Sequence, residues 1–220
     1  MNPGEENTGF QKGLFIVFEG IDGSGGDTQL KMLLDRIKKG NKYQDVLATH
    51  EPWKNGRIKE MLEKDRDAYS NAEEISLLYV GDRTEHSYEL IRPNINAGVF
   101  VLSSRYKMST CAFQQAQGVP LEALLKMHEN RGILTPDITF YLDVSREVAA
   151  ERMKKRGDPP EKFERDTGFI DRVIENYRNL YQMSLKDQRL FGRVEGIDGN
   201  RTMGEVSEDV YRAFLQVRGK

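Results

Sequence analysis

From Leu14 to Gln29 the chain reads LFIVFEGIDGSGGDTQ. Its first part is an unbroken apolar run of β-branched and aromatic residues, the pattern of a buried strand. A glycine-rich stretch follows, and from Leu30 to Ile37 the apolar residues recur at helical spacing. The turn between strand and helix also carries a chemistry. Gly20, Gly23, Gly25 and Gly26 let successive backbone N–H groups converge on an anion, with Ser24 among them. The start of the next helix, at Asp27 and Thr28, adds its partial positive charge. Gly20 and Gly25 have the spacing of the phosphate-cradling pattern G-x-x-x-x-G-K-[ST]. Gly26, however, stands in the lysine position and Asp27 in the hydroxyl position.

A chain of 220 residues suits one domain with a real core, and 38% hydrophobic with 31% charged residues fits a globular protein. No apolar run is long enough to span a membrane. A net charge of −2 argues against general nucleic-acid binding. The polar stretch 1–13 is expected to be a flexible tail without a secretory h-region, ahead of a single domain over 14–218. Cys111 is the one cysteine, which excludes an internal disulfide, and its apolar neighbours predict a buried, inert thiol. The expected compartment is the cytoplasm.

Beyond the first helix, Asp45 to His50 reads as a short strand that Pro52 stops, with a loop and a helix running on toward Lys64. Asn71 to Ala97 predicts a long helix or a helix pair disturbed by Pro93. Val99 to Ser103 and Ile138 to Val144 read as further buried strands, and Arg193 to Ile197 as a short last one. Helices are expected over Leu121 to Arg131, from Val148, over Ile170 to Leu190, and after Asp198-Gly199-Asn200 to about Val217. Strands alternating with helices predict a three-layer α/β/α fold with a parallel sheet. In such sheets ligands bind beyond the strand C-termini, so Ser104-Arg105-Tyr106 should face the glycine loop.

FEGIDGSGGDTQ resembles the P-loop of thymidylate kinases, which typically reads FEGIDGSGKTTQ. Further matching stretches follow in order: HEPW, LLYVGDRTEH, SSRYKMSTCAFQ, LTPDITFYLDV and ERMKKRGDPPEKFE. The resemblance implies a five-stranded P-loop NTPase fold with a small lid at about 154–168. The implied activity is transfer of the ATP γ-phosphoryl group to dTMP with Mg²⁺, in a homodimer. It implies that Tyr79 stacks on the thymine ring, that Arg83 bonds an exocyclic oxygen, and that Arg105 holds the acceptor phosphate. Ser109, Phe113 and Gln114 match sugar and base contacts, and Asp22 matches the carboxylate near the sugar's 3′-hydroxyl. Arg152 falls over the donor adenine, and the backbone of Ile197 to Arg201 lies against the donor base. Arg156 belongs among the lid arginines that reach the transferring phosphate, with Lys154, Lys155, Lys162 and Arg165 as helpers. A solvated charge run is the alternative for this segment.

The chain departs from the family pattern at four positions: Gly26, Asp27, His50 for an arginine, and Ser104 for an aspartate. A neutral His50 cannot replace a charged fork, so Lys54 or Arg57 would have to supply that charge; a solvated basic loop is the alternative. Asp27 and Ser104 are reciprocal, a carboxylate where a hydroxyl is expected and the reverse. They are candidate Mg²⁺ ligands with exchanged positions, or else two positions that drifted after activity was lost. Three functions are consistent with this pattern: a thymidylate kinase with a rearranged donor site, a nucleotide-binding pseudokinase, and a kinase for another nucleoside monophosphate.

Overall fold

The computed structural model describes residues 12–54, 56–64, 71–157 and 166–219. Its strands are β1 (Phe15–Glu19), β2 (Val46–His50), β3 (Phe100–Ser104), β4 (Ile138–Asp143) and β5 (Arg193–Asp198). They pair in the order β2-β3-β1-β4-β5, all parallel: after β1 the chain goes to the edge strand β2, returns to insert β3 beside β1, and then crosses to build β4 and β5 outward on the other side. This is the expected P-loop NTPase sheet. The register sets Phe18 and His50 beside Ser104 and Glu19 beside Tyr141, which gathers these strand ends at one edge.

The helices are α1 (Gly26–Gly40), α2 (Gly56–Lys64), α3 (Ala72–His86), α4 (Arg92–Asn96), α5 (Lys107–Ala116), α6 (Leu121–His128), α7 (Arg146–Arg156), α8 (Thr167–Lys186) and α9 (Met203–Arg218). Alternation along β1 decides which layer each packs on. Ile16 and Phe18 join Leu33 and Ile37 of α1 and Val210 and Phe214 of α9 on one face. Phe15 and Val17 face Ile91, Ile95 and Tyr106 on the other. There α5 and α8 close the layer with Cys111, Val173 and Tyr177. Each fully buried Phe or Leu in these layers contributes roughly 1.5–3 kcal/mol. Cys111 is buried, and burial pushes its thiol up to about 12, the inert behaviour expected of it.

Strand ends and helix starts shift by one to three residues from the sequence reading, and three larger differences have identifiable causes. Pro93 does not separate two helices. A π-helical turn, Ser87–Ile91, joins α3 to α4, and Arg92 N–H bonds back to Ser87 O, so the extra residue absorbs the register before the proline. Helix α6 ends at His128 rather than Arg131, because Glu129 turns extended at ψ 147° and Asn130 takes a positive φ of 56°. Helix α8 stops at Lys186, where Asp187 turns extended. The expected tail lies outside the described residues up to position 11, and much of the expected lid, including Lys162 and Arg165, does as well. No described helix is long and apolar enough to cross a membrane.

Candidate active site

The glycine loop leaves β1 and enters α1 through Gly25, which caps the helix at φ 97° without a side-chain bond. The first amides of α1 have no preceding-turn carbonyl to bond. Two further glycines are sterically required. A Cβ on Gly20 would lie 2.8 Å from Ser24 Oγ, and one on Gly23 would lie 2.5 Å from the Ala149 carbonyl of α7. Gly23 thus lets α7 pack directly on the loop. Arg152 of α7 fastens that contact by donating to the carbonyls of Ser24 at 3.3 Å and of Gly199 at 2.7 Å, joining the loop to the 199–201 turn.

A polar cavity follows the loop from Phe18 to Thr28 and is closed by Ser104, Arg105 and Arg156. Its opposite wall brings the reciprocal pair together, with Ser104 Oγ donating to Asp27 Oδ1 at 2.5 Å. Gly26 leaves open the space a longer side chain would occupy, since a Cβ there would find its nearest neighbour, Phe18 Cβ, at 3.9 Å. Arg156, the last residue of α7, lines this cavity; Lys155 instead pairs with Glu151.

A second cavity of about 230 Å³ opens beside it. Tyr79 and Phe113 give it aromatic walls, and Arg83, Ser109, Thr110 and Gln114 give it polar edges. Asp22 and Arg105 line both cavities. Arg105 takes a positive φ of 66° at the end of β3 and donates to Asp22 Oδ1 at 2.5 Å, and to Gly20 O and Ser109 Oγ at 3.2 Å each. Burial opposes its charge, but Asp22, Tyr177 and Glu19 outweigh that and raise its pKa.

Beneath Arg105 lies Glu19, to which the sequence reading gave no role. It is 1% exposed and accepts from Tyr106 N–H at 2.9 Å, Ser109 Oγ at 2.5 Å and the Tyr177 hydroxyl at 3.1 Å. Burial raises its pKa, although Ser109 and Arg105 pull the other way. Tyr177, read from sequence as part of a core stripe, is buried as expected but directs its hydroxyl at the site. The signal available for Glu19 was a charged residue closing an apolar strand run immediately before the loop.

Arg83 is 1% exposed and is held by polar groups from several elements. It donates to Glu51 Oε2 at 2.7 Å, Tyr106 O at 2.9 Å and Thr110 Oγ1 at 3.0 Å, and lies 2.8 Å from His128 Nε2. Glu51 also bonds His86 Nδ1 at 3.0 Å, and His86 stacks under Trp53. The remaining sequence candidates lie apart. His50 is exposed at the end of β2 next to Ser104, Lys54 Nζ pairs with Glu89, and Arg57 pairs with Glu74. None of the three is among the residues lining the two cavities.

A parallel sheet with a glycine loop at its switch point and two cavities sharing one arginine defines a P-loop protein built for phosphorylated ligands. A family model described as Thymidylate kinase matches residues 18–191. The chain is 35% identical over 212 residues to a probable thymidylate kinase of Staphylothermus marinus, covering 96% of this chain and 97% of that protein. It is 33% identical over 210 residues to a thymidylate kinase of Halothermothrix orenii, covering 91% and 95%. A thymidylate kinase of Leptospira interrogans is 29% identical over 205 residues, covering 93% and 95%. The chain belongs to the thymidylate kinase family.

Proposed function

We propose that this chain transfers the γ-phosphoryl group of ATP to dTMP, giving dTDP. The observation that carries the reading is that Asp22 and Arg105 line both the loop cavity and the aromatic-walled cavity. A phosphate on either side then meets the same guanidinium, and phosphoryl transfer depends chiefly on such positioning and charge stabilisation. In this reading the loop amides from Gly20 to Thr28 hold the donor phosphates. Arg105, braced by Asp22 and Ser109, holds the acceptor phosphate. Tyr79 and Phe113 clamp the pyrimidine ring, with Arg83 and Gln114 at its polar edge. Arg152 and the 199–201 turn form the donor-base wall.

Asp27 and Ser104 suit Mg²⁺: a carboxylate and a hydroxyl oxygen in contact form a hard donor set able to take two neighbouring positions of an octahedron. A bound Mg²⁺ supplies charge neutralisation for the phosphate oxygens. Without the loop lysine, Arg156 is the cation we assign to the transferring phosphate. A homodimer in the cytoplasm completes the reading, and light scattering tests the dimer. The main test is a coupled assay for dTDP formation from dTMP and ATP at saturating Mg²⁺. Turnover that requires both nucleotides supports the assignment, and none at any enzyme concentration refutes it.

A further inference from the structure

From the end of helix α6 the side chain of His128 reaches Arg83. His128, the last residue of α6, has Nδ1 2.7 Å from the Leu124 carbonyl and Nε2 2.8 Å from Arg83 Nη1. A carbonyl can only accept, so Nδ1 carries the proton and Nε2 offers its lone pair to Arg83. Burial, with Arg83 beside it, lowers the His128 pKa to about 3, which keeps the ring in this neutral state. A guanidinium has five N–H groups in a fixed plane. Glu51 takes Nε–H, Tyr106 O and Thr110 Oγ1 take those of Nη2, and His128 takes one on Nη1. One Nη1 hydrogen remains, on a residue that lines the aromatic-walled cavity.

We propose that His128 is a positioning residue that fixes the plane of Arg83, so that its remaining N–H meets a ring carbonyl of the acceptor base and disfavours an amino group at that edge. The inference rests on the acceptor-pocket reading above and assigns its base preference to a contact outside the pocket lining. A site built around a fixed donor discriminates because the wrong partner leaves that donor unpaired.

The test compares steady-state kinetics for dTMP and dCMP in the native protein, His128→Leu and His128→Gln. Leucine removes the acceptor, and glutamine returns one through its side-chain oxygen. The expected result for His128→Leu is a KM for dTMP raised about tenfold, kcat within about twofold, and a dTMP-to-dCMP ratio of kcat/KM lowered about tenfold. His128→Gln recovers most of both. If the two variants behave alike, whether both native-like or both equally impaired, the role of His128 is overturned. Should the leucine variant not fold, His128→Asn, too short to reach Arg83, replaces it with the same expectations. A thermal shift of the native protein with dTMP separates the two failures. No shift refutes the acceptor pocket itself, whereas a native shift with unaffected variants refutes only His128.

Discussion

Ser104 Oγ and Asp27 Oδ1 are 2.5 Å apart although 77 residues separate them in the chain. These are two of the positions at which the chain departs from the family pattern, and they touch. Drift at unrelated sites does not favour a hydroxyl and a carboxylate trading places across one hydrogen bond. Residues coupled in this way respond non-additively to substitution. Asp27→Ala or Ser104→Ala should each raise the Mg²⁺ concentration needed to support ADP binding by about tenfold. The double exchange Asp27→Thr, Ser104→Asp should return it to the native value. Thermal shifts with ADP across a Mg²⁺ titration read this, and an unchanged titration in Asp27→Ala removes the pair from the metal site.

The absent lysine has a different remedy. Gly26 has room for a side chain, and Arg156 reaches the same cavity from α7. If Arg156 supplies the missing charge, Arg156→Ala should lower kcat by about 10²–10³-fold, the scale for removing one preorganised stabiliser of transition-state charge. In a Gly26→Lys background the same truncation should cost at least tenfold less, because lysine and arginine would then stabilise the same charge. Equal losses in the two backgrounds would show that Arg156 does something other than replace the lysine.

Much of this arrangement was legible in the sequence because it is local. An apolar run, glycines and a helical period specify β1, the loop and α1, and the end of β3 puts Ser104-Arg105 at the same sheet edge. The cage around Arg83 was not legible. Glu51, Tyr106, Thr110 and His128 come from different elements and meet only through the tertiary packing of α3 with α5 and α6. Glu19 was hidden for a related reason: a carboxyl at the end of a buried run gives no periodic signal, and its partners Ser109 and Tyr177 lie 90 and 158 residues away. The π turn before Pro93 was also beyond pattern reading, since an i→i−5 register changes no residue type.

His128 links the site to acid stability. The groups facing it are Arg83, Lys107 and Arg131, all cationic, and the Leu124 carbonyl. Its pKa falls from the ordinary 6.5 in the unfolded chain to about 3 in the fold. The unfolded state therefore binds a proton that the folded state refuses, so the histidine is neutral in its effect above pH 6.5 and destabilises folding as pH drops toward 3. Urea unfolding at pH 7.5 and pH 5 should show a loss on acidification that is smaller, by about 1–2 kcal/mol, in His128→Gln. Equal losses in the native protein and the variant would mean that the ring protonates freely in the fold.

Glu51 is the counter-ion on which the Arg83 cage depends. Both side chains are nearly inaccessible, at 3% and 1%, and the Nη2–Oε2 separation is 2.6 Å. Removing one partner of such a pair leaves a buried charge without compensation, which costs about 3–5 kcal/mol, whereas the intact pair adds little net stability. Glu51→Ala should therefore lose about that much in urea unfolding at pH 7.5. It should also free His86 Nδ1 and loosen the Trp53 stack above it, which tryptophan fluorescence can follow. Glu51→Gln keeps the shape and one acceptor oxygen, so its loss should be about half as large. A Glu51→Ala variant as stable as the native chain would mean that water or a repositioned carboxylate reaches Arg83. The fixed plane on which the His128 assignment depends would then not exist.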